Sequence, residues 1–169
     1  MKKVFITTVT GEVTPGVVKA MANVTREVGG EWVTSKVIKL DTLFAAMMKV
    51  NIEENDETSL KSRFNAEFPT LTFSYAEPTQ EQSASTRTLH LNVDCGDRPG
   101  LTREIVDMLS NLNLIIEHME FNRMHVSTIG QTVFSSKLSL AVPAEVSNDS
   151  VVELLEGIAK DARVSILAA

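Results

Sequence analysis

The residues of this chain with the clearest chemical potential lie in one short turn, Gly96 to Leu101, which reads Gly-Asp-Arg-Pro-Gly-Leu. Proline suits the first position of a helix, because its missing N–H needs no partner there. This placement makes Arg98 the N-cap and brings the Asp97 carboxylate near the first free N–H groups. Those donors and the positive end of the helix dipole attract an anion. An amino acid, which carries both a carboxylate and an ammonium group, would suit the donors and Asp97 together.

The same turn also has a purely structural interpretation. Pro99 and Gly100 can simply begin the helix, and Asp97 can simply cap it. Gly100 has no Cβ, so either a ligand or a neighbouring strand can approach the backbone there. Local chemistry alone leaves both interpretations open.

Other catalytic and metal-binding patterns are missing from the sequence. It has neither the glycine-rich nucleotide motifs nor the serine hydrolase elbow. Cys95, the single cysteine, has no histidine nearby in sequence to act as a base. We interpret it as a small turn residue beside a helix N-terminus that could lower its pKa. The histidines lack the spacing of metal ligands: His90, His118 and His125. We therefore expect no enzymatic activity, metal or cofactor.

Composition excludes further classes of protein. Apolar residues make up 43% and charged residues 22% of the chain, which is typical of a folded globular protein and not of a disordered one. The net charge of -6, with Lys and Arg scattered singly, argues against direct binding to nucleic acid. No segment is apolar enough over its length to predict a membrane span. A single cysteine suits the reducing cytoplasm, where we expect the protein to reside.

The elements that must position the turn occur twice. Val9–Val24 aligns with Val93–Met108, so that Pro15-Gly16 falls on Pro99-Gly100 at an offset of 84 residues. Apolar stripes with helical spacing follow both turns: Val17, Met21, Val24 and Val28 in one, Leu101, Ile105, Met108 and Leu112 in the other. Each half then continues with two strand-like runs, a second helix and a short strand.

This order predicts an α+β protein of two ferredoxin-like βαββαβ domains in tandem, each an antiparallel four-stranded sheet with two helices on one face. The polar segment 78–86 is expected to be the linker between domains 1–77 and 87–169. Arg123 to Gln131 is long for a hairpin connection and predicts a loop, which either binds a partner or is an idle extension.

The turn, in this architecture, resembles that of an ACT domain. The resemblance rests on Asp97 to Leu101, on the apolar helix that follows, and on Asn113-Leu114-Ile115 opening the next strand. It implies a small-molecule site, commonly for an amino acid, at the turn, completed by the start of the second strand of a partner domain. The binding residues it implies are Gly96, Asp97, Arg98, Pro99, Gly100, Leu101 and Asn113.

Two ACT-like copies with no attached enzyme are similar to the glycine cleavage transcriptional repressors. That resemblance implies a non-enzymatic regulator that senses glycine and contacts a DNA-binding activator protein, and it also implies a homodimer. The alternative is a regulatory subunit of a biosynthetic enzyme, of the acetolactate synthase small-subunit type. Two complete copies favour the first, because the second type resembles one ACT domain followed by a different domain.

The first copy departs from the motif. Val13 and Thr14 stand where the second copy has Asp97 and Arg98. Its equivalent turn, Thr14, Pro15 and Gly16, is structurally sound, with Thr14 as a good N-cap, but Glu12 is the only carboxylate near it. The position matching Asn113 is about Glu31, after a two-residue shift.

Overall fold

A computed structural model describes residues 1–79 and 85–168 of the chain. They divide into two compact units, Met1–Gln80 and Glu81–Ala169. The first contains β1 (Lys2–Glu12), α1 (Val17–Glu27), β2 (Glu31–Leu40), β3 (Leu43–Glu53), α2 (Glu57–Glu67) and β4 (Thr72–Ala76). The second contains β5 (Thr86–Gly96), α3 (Leu101–Asn111), β6 (Ile115–Val126), β7 (Gln131–Pro143), α4 (Asn148–Glu156) and β8 (Arg163–Ile166). The βαββαβ order predicted for each half is confirmed.

The expected linker, 78–86, includes residues 80–84, which lie outside the described residues. Its last residue, Thr86, is the first residue of β5. None of the described helices is long and apolar enough to cross a membrane.

Each unit is built on an antiparallel four-stranded sheet. The strand orders are β2-β3-β1-β4 and β6-β7-β5-β8. Every second residue of the central strands is buried, as in Leu89, Leu91 and Val93 of β5. Because strand side chains alternate between faces, this pattern places one face of each sheet against its two helices. The apolar stripes of the helices fill that side, with Leu101 and Ile105 of α3 and Val151 and Leu155 of α4 buried in the second core.

The two units share local details at the same 84-residue offset. Both helices that follow the turns end in a Schellman motif: Gly30 N–H donates to Thr25 O (2.9 Å) in one, and Leu114 N–H donates to Leu109 O (3.1 Å) in the other. A β-bulge then interrupts the pairing between Trp32 and Thr34 in the first unit. The second unit has the same irregularity between Ile116 and His118. The repeat therefore extends from sequence pattern to backbone conformation.

The units differ in the length of one hairpin. β2 and β3 have 10 and 11 residues, whereas β6 and β7 have 12 and 13. The loop predicted from Arg123 to Gln131 is wrong, because β6 continues to Val126 and β7 begins at Gln131. Arg123 pairs with Phe134 within this ladder. Polar composition favours a loop, but the exposed end of a hairpin also tolerates polar residues.

Two threonines in the first core provide a test of its packing. Thr7 is fully buried, and its Oγ1 has no hydrogen-bond partner among the described residues. Thr25 is equally buried, but its Oγ1 donates to Met21 O (2.9 Å) and accepts from Trp32 Nε1 (3.0 Å). A buried hydroxyl without a partner costs free energy that a methyl group does not.

We expect Thr7→Val to raise the free energy of unfolding by about 1 kcal/mol and Thr25→Val to lower it by about 1 to 2 kcal/mol. Urea unfolding followed by Trp32 fluorescence measures both, since this is the single tryptophan of the chain. Equal effects of the two substitutions would contradict the difference in hydrogen bonding.

Candidate functional site

The Pro-Gly pair in each unit forms a type II turn that precedes the helix. α3 begins at Leu101, and Gly100 flanks it with φ 87° and ψ -1°, which are the angles of the third residue of a type II turn. The predicted start of the helix at Pro99, with Arg98 as N-cap, is therefore wrong. Proline fixes the second position of such a turn and glycine supplies the positive φ of the third, so the pair shapes the turn before any helical residue.

The equivalent turn of the first unit has the same shape. Gly16 has φ 79° and ψ 2°, and Val17 N–H donates to Thr14 O across the turn at 3.3 Å. Thr14 does not cap the helix as expected, because α1 has no side-chain cap hydrogen bond. The two turns share their backbone conformation, and neither helix has a side-chain cap hydrogen bond.

Asp97 is held by groups from the neighbouring hairpin. Its N–H donates to Thr132 O at 2.9 Å. Its carboxylate accepts a hydrogen bond from Arg123 Nε at 3.0 Å, and its side chain is 21% exposed. The carboxylate does not cap α3, which has no side-chain cap hydrogen bond. The structural interpretation of Asp97 as a cap is thus wrong.

Arg98 is used internally to fix the turn. Its guanidinium donates to both carboxylate oxygens of Glu104, at 2.8 and 2.6 Å, and to Ile158 O at 2.8 Å. These bonds join the turn to α3 and to the segment after α4. The hydrogen bond from Arg98 lowers the pKa of Glu104 and, reciprocally, raises that of Arg98. Arg98 therefore positions the turn, and its bidentate face is not free for a ligand.

Gly96 allows another close contact at the end of β5. Its N–H donates to Asp161 Oδ2 at 2.9 Å. A Cβ at this position would lie 2.9 Å from the same oxygen, closer than real Cβ atoms approach. Asp161 is in the connection between α4 and β8, so this bond also ties the turn to that connection.

The first turn of α3 has free donors. Within the described residues, no acceptor is found for the N–H groups of Thr102 and Arg103. By contrast, Ser147 caps α4 by accepting from Ser150 N–H at 3.1 Å. Uncapped N–H groups and the helix dipole together favour an external anion at α3. The free donors lie only a few residues from the Asp97 carboxylate.

Asn113 lies at the far end of α3. It adopts a left-handed conformation with φ 55° just after the helix, and Gly29, with φ 79°, holds the equivalent position in the first unit. The match of Asn113 with Glu31 is therefore wrong, because no two-residue shift is needed. α3 has 11 residues, which span about 16 Å at about 1.5 Å per residue. One unit does not bring Asn113 and the Asp97 turn to the same small ligand.

Cys95 is a core residue of β5 and not a turn residue. It is 4% exposed. Burial, followed by the nearby charge of Asp161, raises the pKa of its thiol. The expectation of a lowered pKa is thus wrong, since the desolvation of the thiolate outweighs the proximity of the helix N-terminus.

The histidines lie on strands. His90 Nδ1 is 2.8 Å from Ser139 Oγ, while His118 and His125 are exposed on β6. Over residues 1–79 and 85–168 there is no group of three or more His, Cys, Asp or Glu residues that could hold a metal ion.

Sequence reasoning missed four residues at the turn: Glu104, Arg123, Thr132 and Asp161. The predicted loop includes Arg123, although the apolar Phe121 and Phe134 near it could have indicated a continued hairpin. The contacts of Glu104 and Asp161 left no signal in the sequence.

A cleft of about 730 Å³ in the first unit was also missed. It lies where α1 ends and β2 begins, and its polar walls include Arg26, Glu31 and Asn51. Asn51 Nδ2 donates to Glu31 Oε1 at 3.0 Å.

The ion pair at the turn predicts a specific pH response. The pKa of Glu104 is lowered from 4.5 in the folded protein. The ion pair of Glu104 therefore contributes to stability above pH 4.5, and this contribution is lost as the pH falls through the pKa that Glu104 has in the folded protein. We expect an NMR titration of the Glu104 carboxyl carbon to give a midpoint below 4.5, and Arg98→Met to move it upward. An unchanged midpoint would contradict the pairing.

The comparisons with known proteins agree with this architecture. Residues 3–71 match the model of the ACT domain family. The match lies over the first unit, whereas the resemblance in the sequence rests mainly on the turn of the second. No curated protein matches the chain.

Two solved structures are similar over essentially the whole chain. A crystal structure of an unknown protein from Galdieria sulphuraria has a TM-score of 0.85 and 19% identity, covering 99% of this chain and 100% of that one. A candidate glycine cleavage system transcriptional repressor has a TM-score of 0.72 and 12% identity, covering 100% and 99%. At these identities the likeness is one of fold. Residues 3–71 thus match the ACT domain family, and the chain as a whole has a tandem ACT-like fold.

Proposed function

We propose that this protein is a non-enzymatic regulator that binds a small amino acid, such as glycine, at the Gly96–Leu101 turn of its second unit. The observation that carries the proposal is the uncapped first turn of α3 beside the Asp97 carboxylate. The free N–H groups supply donors for the carboxylate of the ligand, and Asp97 supplies an acceptor for its ammonium group. Pro99 and Gly100 fix the backbone that presents both.

A second ACT-like unit completes the site in this proposal. Asn113 is too far along α3 to reach a small ligand held at the turn of its own unit. Asn113 therefore contacts a ligand bound to a different unit, for which a second copy of the chain is the natural source. Binding would then favour the homodimer, since a ligand shifts the equilibrium toward the arrangement that completes its contacts.

The output that we propose is control of glycine cleavage genes through contact with a DNA-binding activator protein. Support comes from the fold shared with a candidate repressor of that system and from the ACT domain in the first unit. The net charge of -6 suits contact with a protein better than direct contact with DNA.

A thermal-shift screen of the twenty amino acids tests the ligand. A ligand at about 100 times its dissociation constant stabilises the folded state by about 2.7 kcal/mol, which raises the melting temperature by several degrees. We expect glycine or another small amino acid to give this shift and acetate or methylamine alone to give none. A flat response to all twenty amino acids would overturn the amino-acid proposal.

The proposed contact with a DNA-binding activator protein needs a separate experiment. The tagged protein, incubated in host lysate with and without the amino acid from the screen, should retain a DNA-binding protein in a ligand-dependent manner. Retention of a biosynthetic enzyme such as acetolactate synthase would support the alternative function instead. The purified protein alone should not shift a glycine cleavage promoter fragment in a gel, and a shift would contradict action through a protein partner.

A further inference from the structure

Arg123 stands beside Asp97 in an arrangement that fits a zwitterion. Its Nε donates to Asp97 Oδ1 at 3.0 Å, and neither of its terminal nitrogens donates to any described residue. The guanidinium carbon lies 5.2 Å from the ring centre of Phe121 and 5.5 Å from that of Phe134. These rings support the guanidinium while its terminal nitrogens remain available to an acceptor.

The ion pair itself is easily remodelled. The side chains of Arg123 and Asp97 are 44% and 21% exposed, and ion pairs with this degree of exposure contribute little to stability. An α-amino acid carries its ammonium and carboxylate groups on the same carbon atom. An adjacent carboxylate and guanidinium can therefore pair with both charges at once, Asp97 with the ammonium group and Arg123 with the carboxylate.

We infer that Arg123 is the residue that recognises the α-carboxylate of the ligand and so restricts the ligand class to zwitterionic α-amino acids. This inference rests on the proposed function. The α3 N–H groups and Arg123 bind the same carboxylate, which has lone pairs for both. The role of Arg123 is to discriminate between a carboxylate and a neutral group at that place, since the guanidinium fork matches carboxylate geometry.

The first unit lacks a part of the proposed site, which indicates a single ligand site per chain. Lys39 takes the place of Arg123 at the 84-residue offset, and it pairs with Phe44 as Arg123 pairs with Phe134. The residue at the position of Asp97 is Val13, so the carboxylate is missing. The first unit therefore has a cation at the position of Arg123 but lacks a carboxylate at the position of Asp97. We expect calorimetry to give one ligand per chain.

The test measures how strongly the protein discriminates between an amino acid and its amide, and not the affinity for the amino acid alone. The full chain is titrated with the amino acid that gives the largest shift in the screen and with the amide of that amino acid, which keeps the ammonium group and loses the carboxylate. Arg123→Met is expected to weaken binding of the amino acid about tenfold or more, the effect of losing a charged hydrogen bond. It should leave binding of the amide unchanged, so the ratio of the two affinities falls.

Two further variants show whether an effect of Arg123→Met comes from lost recognition of the carboxylate, from lost charge or from altered folding. Arg123→Lys keeps the charge without the fork and should lie between wild type and Arg123→Met. Arg26→Met removes an exposed arginine from the last turn of α1 in the first unit, away from the proposed site, and it should leave the affinity ratio unchanged. Melting temperatures without ligand show whether each variant is folded.

The outcomes distinguish the two proposals. If wild type binds an amino acid and folded Arg123→Met keeps the same affinity ratio, the inference on Arg123 is wrong while the proposed function stands. If wild type binds no amino acid, the proposed function is wrong, and the inference on Arg123, which rests on it, is wrong as well. A second site of equal affinity in each chain would also overturn the restriction to the second unit.

Discussion

Replacement of Asp97 by alanine is expected to weaken amino-acid binding at least about 100-fold while the protein remains folded. Asp97 is the acceptor proposed for the ammonium group, and truncation of one partner of a hydrogen-bonded charge pair costs about 2 to 5 kcal/mol. Its loss should lower the free energy of unfolding by less than about 1 kcal/mol, because the ion pair with Arg123 is partly exposed. Calorimetry and thermal unfolding of the same samples measure the two effects.

Matched variants make this result specific. Asp97→Asn keeps the shape and removes the charge, so it should lose binding almost as fully as alanine. Asp107→Ala removes a carboxylate from α3 that is 67% exposed and 3.7 Å from Arg103, and it should bind like wild type. Unchanged affinity in Asp97→Ala would remove the turn from consideration as the ligand site.

Phe64→Ala is expected to destabilise the first unit more than Thr25→Val does in the same core. Phe64 has no exposed surface, and its ring stacks on Phe73 with centres 5.0 Å apart and planes at 7°. Phe68 approaches it from another side at 6.2 Å. Removing a fully buried phenyl ring costs about 3 to 5 kcal/mol, because the lost transfer free energy is compounded by a cavity.

The fluorescence of Trp32 reports this change directly. Trp32 packs against the same core, and its indole N–H donates to Thr25 at 3.0 Å. The urea midpoint followed at this residue should fall steeply in Phe64→Ala and by a smaller amount in Phe64→Leu. Met47→Ala, at a side chain that is 51% exposed, should change stability by less than about 0.5 kcal/mol. A Phe64→Ala midpoint close to that of wild type would mean that the aromatic stack contributes little.

Local pattern was sufficient to predict the architecture and the place of the turn. Alternation along β5 and the apolar stripe of α3 reflect which side chains face the core, and both are visible in sequence. The recurrence of Pro-Gly showed where each helix follows a turn. It did not reveal the type of turn, because proline at a helix start and proline in a type II turn look the same in sequence.

The contacts of the site could not be predicted in this way. Gly96 and Asp161 are 65 positions apart, and Arg98 and Ile158 are 60 apart. Asp97 and Arg123 are 26 apart, and their pairing depends on how far the β6 strand continues. Such contacts follow from the register of the folded sheet, and no local pattern in a single sequence indicates them.

The unequal hairpins show at which position the βαββαβ unit tolerates a change in length. Residues added at the tip of a hairpin extend its two arms without altering the pairing at its base, so the bulge and the helix end below it are preserved in both units. The connection between β6 and β7, residues 127–130, is thus the position at which an epitope or a fluorescent label can be inserted. Such a graft would lengthen the hairpin at the place where the two units already differ.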